Sequence, residues 1–182
     1  DSFDCISFPT SGNRVTLNVY VRNEDFDDII DDNQNEYSVQ IEADWKGALS
    51  VGNHAFVGKA SISTNDNDGM NTLHVSELGG FLNLSGYHKD SLTGAHKVFG
   101  AFVYQYDLGR DALGMTDYPL YLGWSLEAGN VWDERSEVTL TDLIYASSLY
   151  IGTDTSMGPA AIGFGITDLG DKSFYLFVGK NF

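Results

Sequence analysis

Between residues 36 and 46 the chain reads EYSVQIEADWK, and its apolar residues fall on every second position. Tyr37, Val39, Ile41, Ala43 and Trp45 stand on one side, and Ser38, Gln40, Glu42, Asp44 and Lys46 on the other. A period of two belongs to a strand with one apolar and one polar face. Residues 14–22 repeat the pattern, setting Val15, Leu17, Val19 and Val21 against Thr16, Asn18, Tyr20 and Arg22. Helical spacing fits neither run. Further strands are predicted at 54–64, 96–106, 119–129, 142–153, 160–168 and 173–182, which makes eight.

Each predicted strand is about ten residues long. At ~3.3 Å per residue and a tilt near ~45° that length crosses a bilayer core, whereas strands of water-soluble domains centre on ~5–6 residues. The connectors differ in length: 23–35 is long, 47–53 shorter, 65–95 very long, 107–118 and 130–141 medium, 154–159 and 169–172 short. Long loops on one side and short turns on the other are the habit of outer-membrane barrels, although 107–118 and 169–172 depart from it. An even strand count puts both termini on one side. With a periplasmic C-terminus, 23–35 and 65–95 face outside. The expected fold is all-β, a transmembrane antiparallel β-barrel with eight strands per chain and a single outer-membrane domain over 1–182. A soluble β-sandwich or lipocalin-like barrel shares the alternation and is the competing reading.

Composition gives the pattern a physical reason. The chain has 20 Gly beside 10 Tyr, 11 Phe and 3 Trp. Small residues such as Gly123, Gly152, Gly163 and Gly165 let tilted strands coil, and Trp45, Tyr118, Tyr121 and Tyr145 are candidate girdle residues at headgroup depth. The formal charge of −16 excludes a phosphate-tracking nucleic-acid surface, which needs Lys and Arg. Three Pro and one Cys argue against a Pro-rich linker or a disulfide-stapled module. No apolar stretch is long enough for a transmembrane helix, and no basic-then-apolar leader opens the sequence.

Candidate chemistry is sparse. The imidazoles are His54, His74, His88 and His96, and a trio of Ser85, His88 and Glu77 can be assembled within one loop. Loops rich in these residue types supply such trios by chance, and no Gly-x-Ser-x-Gly elbow accompanies it, so no catalytic residue is expected. Glu24, Asp25, Asp27, Asp28, Asp31 and Asp32 crowd 23–35; a solvated surface loop accounts for them more simply than a calcium site. The segment 64–69 (TNDNDG) has an EF-hand look but carries Thr64 at the first ligand place and Val75 at the bidentate acid's place. No metal or cofactor is therefore expected. Cys5 has no partner cysteine in the chain and reads as an incidental thiol or an intermolecular one.

Five segments carry a resemblance. The chain ends FYLFVGKNF, with Phe174, Leu176, Val178 and the terminal Phe182 in the pattern of a bacterial outer-membrane C-terminal strand. Four more are FPTSG at 8–12, LGGFLNLSGY at 78–87, SLEAGNVW at 125–132, and Gly158-Pro159. In order and spacing these resemble the second half of the Omp85 (BamA-like, bacterial surface antigen) barrel, in the form attached to patatin-like phospholipases. The chain departs from that family in having eight strands rather than sixteen, with neither POTRA modules nor a patatin domain. The resemblance implies that the long loop folds into the lumen and meets an acidic residue on a later strand. At the family's loop arginine this chain has Ser85, between Leu84 and Gly86-Tyr87, and Glu127 takes the acidic place. Parity sets Glu127 with Tyr121, Gly123 and Ser125, the face read as luminal. A Ser–Glu hydrogen bond is weaker than a bidentate Arg pair, so a looser loop anchor is expected.

The expected function is an Omp85-type outer-membrane scaffold or a pore related to translocation in the outer membrane of a Gram-negative cell. The alternatives are a small structural or surface-interaction barrel whose acidic loops bind cations or partners and, less favoured, a lipid-modifying enzyme. The partners implied are outer-membrane lipid and lipopolysaccharide, and the barrel-assembly machinery through the C-terminal strand, with no nucleic acid. Eight strands either close on themselves or pair with a second copy as a homodimer, because edge amides left unpaired in hydrocarbon cost several kcal/mol each.

Overall fold

A computed structural model of the chain describes residues 2, 4, 8–25, 35–67, 76–110, 118–156 and 158–179. Eight strands form one antiparallel sheet: β1 (Gly12–Asp25), β2 (Asn35–Val51), β3 (His54–Asn67), β6 (His96–Arg110), β7 (Pro119–Trp132), β8 (Ile144–Thr155), β9 (Gly158–Thr167) and β10 (Lys172–Val178). A separate hairpin, β4 (Ser76–Leu78) and β5 (Leu92–Gly94), interrupts the long connector. Short 3₁₀ turns at Arg135–Glu137 and Leu140–Asp142 lie between β7 and β8. The eight long strands pair in chain order, each with the next.

Several strands outrun their expected ends. β2 continues through the predicted 47–53 connector to Val51, which pairs with His54, leaving only Gly52 and Asn53 in the turn. Gly47 is a strand residue for a packing reason: a Cβ there would lie 2.8 Å from the ring of Trp45. Gly52, at φ +61°, is the glycine that makes the turn. β8 starts at Ile144 rather than 142 because Leu140–Asp142 closes a 3₁₀ turn.

The sheet is polarised inside out. Outward positions carry the large apolar side chains: Leu17 is 66% exposed, Leu149 59% and Phe174 83%, and Ile41, Ile62, Leu126, Ile162 and Leu176 stand out beside them. The opposite face holds Thr16, Asp44, Ser61, Gln105, Ser125, Glu127, Ser148 and Ser173, interleaved with small residues and inward rings. Ser125 and Glu127 on that face are buried, at 0% and 3%.

The inner face is filled by the long connector and by the segment before β1. One cluster gathers Phe8, Val57, Phe81, Leu82, Val103, Tyr150 and Ala161; a second gathers Leu78, Leu84, Phe99 and Ala146. The strand glycines are needed for this filling. A Cβ at Gly152 would meet the Phe8 ring at 2.3 Å, and one at Gly123 the Tyr150 ring at 2.0 Å. Tyr121, a girdle candidate by residue type but on Glu127's face by parity, follows its parity: it turns inward and stacks on Phe8 with centroids 4.9 Å apart. Trp45, Tyr118 and Tyr145 are on the exposed surface.

A closed eight-stranded barrel was one of the two expected forms, and the described residues do not form it. No ladder joins β10 to β1, so among the described residues the sheet is an open array whose β1 and β10 edges no other strand pairs, with Ser2 alone reaching the start of β1 at Asn13. The coarser expectation, an all-β antiparallel architecture with eight long strands, is what the chain adopts.

Candidate functional site

The connector 76–95 is the part of the molecule with the most unusual backbone. After β4 the chain turns through Gly79 (φ +123°) and Gly80 (φ +113°), then holds Leu82 (φ 56°) and Leu84 (φ 74°) in the left-handed region before Gly86 (φ +116°). Leucine does not adopt that region without compensation. The compensation comes from a buried carboxylate opposite the loop.

Glu127 projects inward from β7, between Ala101 of β6 and Ala146 of β8, small neighbours that leave room for the loop. Its Oε2 accepts from the backbone amides of Leu84 and Ser85, both at 2.7 Å. Its Oε1 accepts from the Ser85 hydroxyl at 2.7 Å and from the Ser125 hydroxyl at 2.5 Å. Two adjacent amides aimed at one oxygen form a small anion-binding concavity of the kind the left-handed Leu84 makes possible. Ser85 Oγ also accepts from the Leu82 amide at 2.9 Å, closing the turn on itself.

The other strands grip the same loop. Lys59 on β3 donates to the Leu82 carbonyl at 3.2 Å. From β10, Ser173 donates to the Gly86 carbonyl at 2.7 Å, and the Tyr175 hydroxyl donates to the Tyr87 carbonyl at 2.7 Å while accepting from the Gly86 amide at 3.0 Å. Phe81 packs against Tyr150, Tyr175 and Phe177 with centroid separations of 5.1, 5.4 and 5.3 Å. Gly165 lies directly beneath, where a Cβ would come 2.6 Å from Ser85 Cβ. Tyr87 is half-buried; burial first, and then its hydrogen bond to the Asp171 carboxylate, push its phenol above the ordinary tyrosine range.

The geometry thus brings Leu84, Ser85, Gly86, Tyr87 and Glu127 together. The anchor is firmer than a single Ser–Glu bond, since the carboxylate collects two amides and two hydroxyls rather than one hydroxyl. The role of β10 in holding the loop was not legible. Ser173 and Tyr175 occupy alternate positions in the segment that reads as a C-terminal signal, and only their inward parity marks them. Of that signal, Phe174, Leu176 and Val178 face outward and exposed, and Phe182 lies outside the described residues.

The remaining candidates are dispersed. The Ser85 hydroxyl is buried and committed to Glu127, while His88 and Glu77 are exposed, and no hydrogen bond links the three among the described residues. His54 and His96 bond Tyr104 and Thr64 through Nδ1, each at 2.7 Å. His74, Cys5, Val75 and residues 68–69 of the EF-hand-like segment lie outside the described residues, as do Asp27, Asp28, Asp31 and Asp32. Among the described residues no group of acids, His or Cys is arranged to hold a metal ion. Comparison with known protein families and with curated proteins finds no match to this chain.

Proposed function

We propose that this chain is an outer-membrane β-barrel protein of Omp85 type, a membrane-embedded scaffold or translocation-related pore whose lumen is occupied by the loop 79–91. The observation that carries the reading is the inverted polarity of the sheet. Eight strands, most of 12 residues or more, expose their branched and aromatic side chains and turn Ser, Gly, Glu and Lys inward around a loop. Water disfavours such an exterior by about 25 cal/mol for each Å² of apolar surface, and lipid does not. The resemblance of the 78–87 and 125–132 segments to that family agrees with the loop-to-carboxylate contact.

The free edges of β1 and β10 bear on assembly. Unpaired amides in hydrocarbon cost several kcal/mol each, so the reading includes a second copy that completes a sixteen-stranded wall as a homodimer. Barrel-assembly machinery engaging β10, with lipid and lipopolysaccharide around the apolar band, are the remaining partners. The plugged inner face favours one further reading, a silent structural or surface-interaction barrel.

Planar-bilayer conductance together with native mass separates the two. A dimer whose small wild-type conductance grows when Glu127→Ala frees the loop supports the pore. A monomer that stays silent in both forms supports the structural barrel.

A further inference from the structure

On the outward face a groove of about 760 Å³ lies along the ends of β2, β3 and β6 that adjoin the long connectors. Its floor is Val39, Ile41, Ile62 and Val98, contributed by three neighbouring strands. One wall comes from the turn after β7, where Arg135 and Val138 line the groove. That wall is held in place. The Val138 amide closes the 3₁₀ turn on the Arg135 carbonyl at 3.4 Å, and Asn130 Nδ2 donates to the Asp142 carbonyl at 2.7 Å, tying together the two ends of the connection between β7 and β8.

The charge on the lining is positive in a chain whose formal charge is −16. Among the described residues no acid lines the groove, although Asp133, Glu134 and Glu137 flank Arg135 in the sequence. Two of those acids serve the turn instead: Glu134 accepts from the Ser136 hydroxyl at 3.2 Å, and Glu137 from the Glu134 amide at 3.4 Å. Lys97 also borders the groove, but its ammonium is turned inward to Glu42 at 3.3 Å and adds nothing outside. Arg135 is exposed and forms no ion pair among the described residues. His96, on the same lining, meets the Thr64 hydroxyl through Nδ1 at 2.7 Å, so Nε2 is the ring's remaining polar atom.

We infer that this groove holds one acyl lipid with a phosphate headgroup, its chain along the floor and its phosphate on Arg135. The inference rests on the membrane reading, because only in that setting does the outward face meet acyl chains. Lipid tails are as apolar as the floor, so one chain gains little over another there. Selection falls to the headgroup, where a guanidinium forks onto two phosphate oxygens and makes charge-assisted hydrogen bonds. His96 adds a neutral contact through Nε2. The place in the fold agrees: His96 opens β6 and its partner Thr64 lies near the end of β3, where strands give way to the long connector and headgroup depth is reached.

The test is native mass spectrometry of the full chain, equilibrated in an uncharged detergent with equal amounts of dimyristoyl phosphatidic acid and dimyristoyl phosphatidylcholine. Identical acyl chains leave only the headgroup different. One phosphatidic acid per chain is expected in preference to phosphatidylcholine by about tenfold, falling to parity in Arg135→Gln and kept in Arg135→Lys. Val138→Trp, which fills the groove, should lower retention of both lipids. Lys172→Gln, an exposed lysine outside the groove, should leave the preference as in wild type. Far-UV circular dichroism checks that each variant keeps its sheet. Equal retention of the two lipids by wild type, or the wild-type preference persisting in Arg135→Gln, overturns the inference. A nitroxide at Leu149, outward and outside the groove, tells this failure from that of the membrane reading. Lipid contact at that label in liposomes without a phosphatidic acid preference sinks the groove site alone, whereas a label in water sinks both.

Discussion

Replacing Glu127 with Ala removes the carboxylate on which the loop is hung while leaving the sheet intact. The side chain sits between Ala101 and Ala146, so an alanine fits the ladder and the backbone bonds of β7 survive. What is lost is the acceptor for two buried amides, Leu84 and Ser85, and for two hydroxyls. A buried amide left without a partner costs about 1–3 kcal/mol, so the two together weaken loop closure by about 2–6 kcal/mol. The hydroxyls can rotate toward each other or toward Ser148, whose Oγ is 2.6 Å from that of Ser125, and add little. At the low end, 2 kcal/mol is roughly a thirtyfold increase in loop opening. Amide hydrogen exchange reads it directly: Leu84 and Ser85 should exchange at least about thirtyfold faster in Glu127→Ala, with trypsin cutting after Lys89 sooner and the circular dichroism of the sheet unchanged. Glu127→Gln, which keeps one carbonyl acceptor, should fall between. Wild-type protection at Leu84 and Ser85 in the Ala variant would refute the claim that this carboxylate holds the loop.

Gly165→Val should expel the same loop from the other side, since even a Cβ would lie 2.6 Å from Ser85 Cβ and 2.7 Å from the Gly86 amide; exchange at Gly86 rises if so. Gly123→Ala forces a methyl to 2.0 Å from the buried Tyr150 ring and breaks its 2.8 Å bond to Gln105, an overpacking cost of about 1–3 kcal/mol visible as a lowered Tm, and recovered in part by the added change Tyr150→Leu. Leu149→Lys on the outward face of β8 should cost about 2–4 kcal/mol in lipid if that position lies near the bilayer midplane, as followed by urea unfolding in liposomes, whereas inward Ser148→Ala costs far less. Native mass spectrometry from detergent should give two copies, and Val178→Pro on the edge strand β10 should shift that mass toward one.

The strands were legible because a one-sided strand writes its environment at every second residue. β1, β2 and β7 could be read with the correct face inward, Glu127 included, from parity alone. Strand ends were less legible where a glycine had two meanings: Gly47 reads as a turn and is a floor for Trp45, while Gly52 five residues later makes the turn. Tyr121 fits a girdle by residue type and faces Phe8 by parity, and packing decided it. The loop has no signal of its own in the hydrophobic pattern. Its buried residues, Leu78, Phe81, Leu82 and Leu84, follow no period, because left-handed turns at Leu82 and Leu84 redirect side chains in ways that spacing does not encode. The contacts from Tyr175 and Ser173 join residues nearly ninety positions apart, and no local signal announces them. Closure of the sheet was also beyond the pattern, since strand count leaves open whether an edge finds its own chain or another.

The proposed function requires the outward apolar face to meet lipid. Nitroxide scanning in liposomes tests it most directly, with labels placed outward at Leu17, Ile62, Leu149 and Leu176 and inward at Thr16, Ser61, Ser148 and Ser173. A lipid-facing exterior gives a period of two: high oxygen and low nickel-chelate accessibility at the outward labels, and no lipid exposure at the inward ones. High nickel-chelate accessibility at Leu17, Ile62, Leu149 and Leu176 would put that face in water and contradict it.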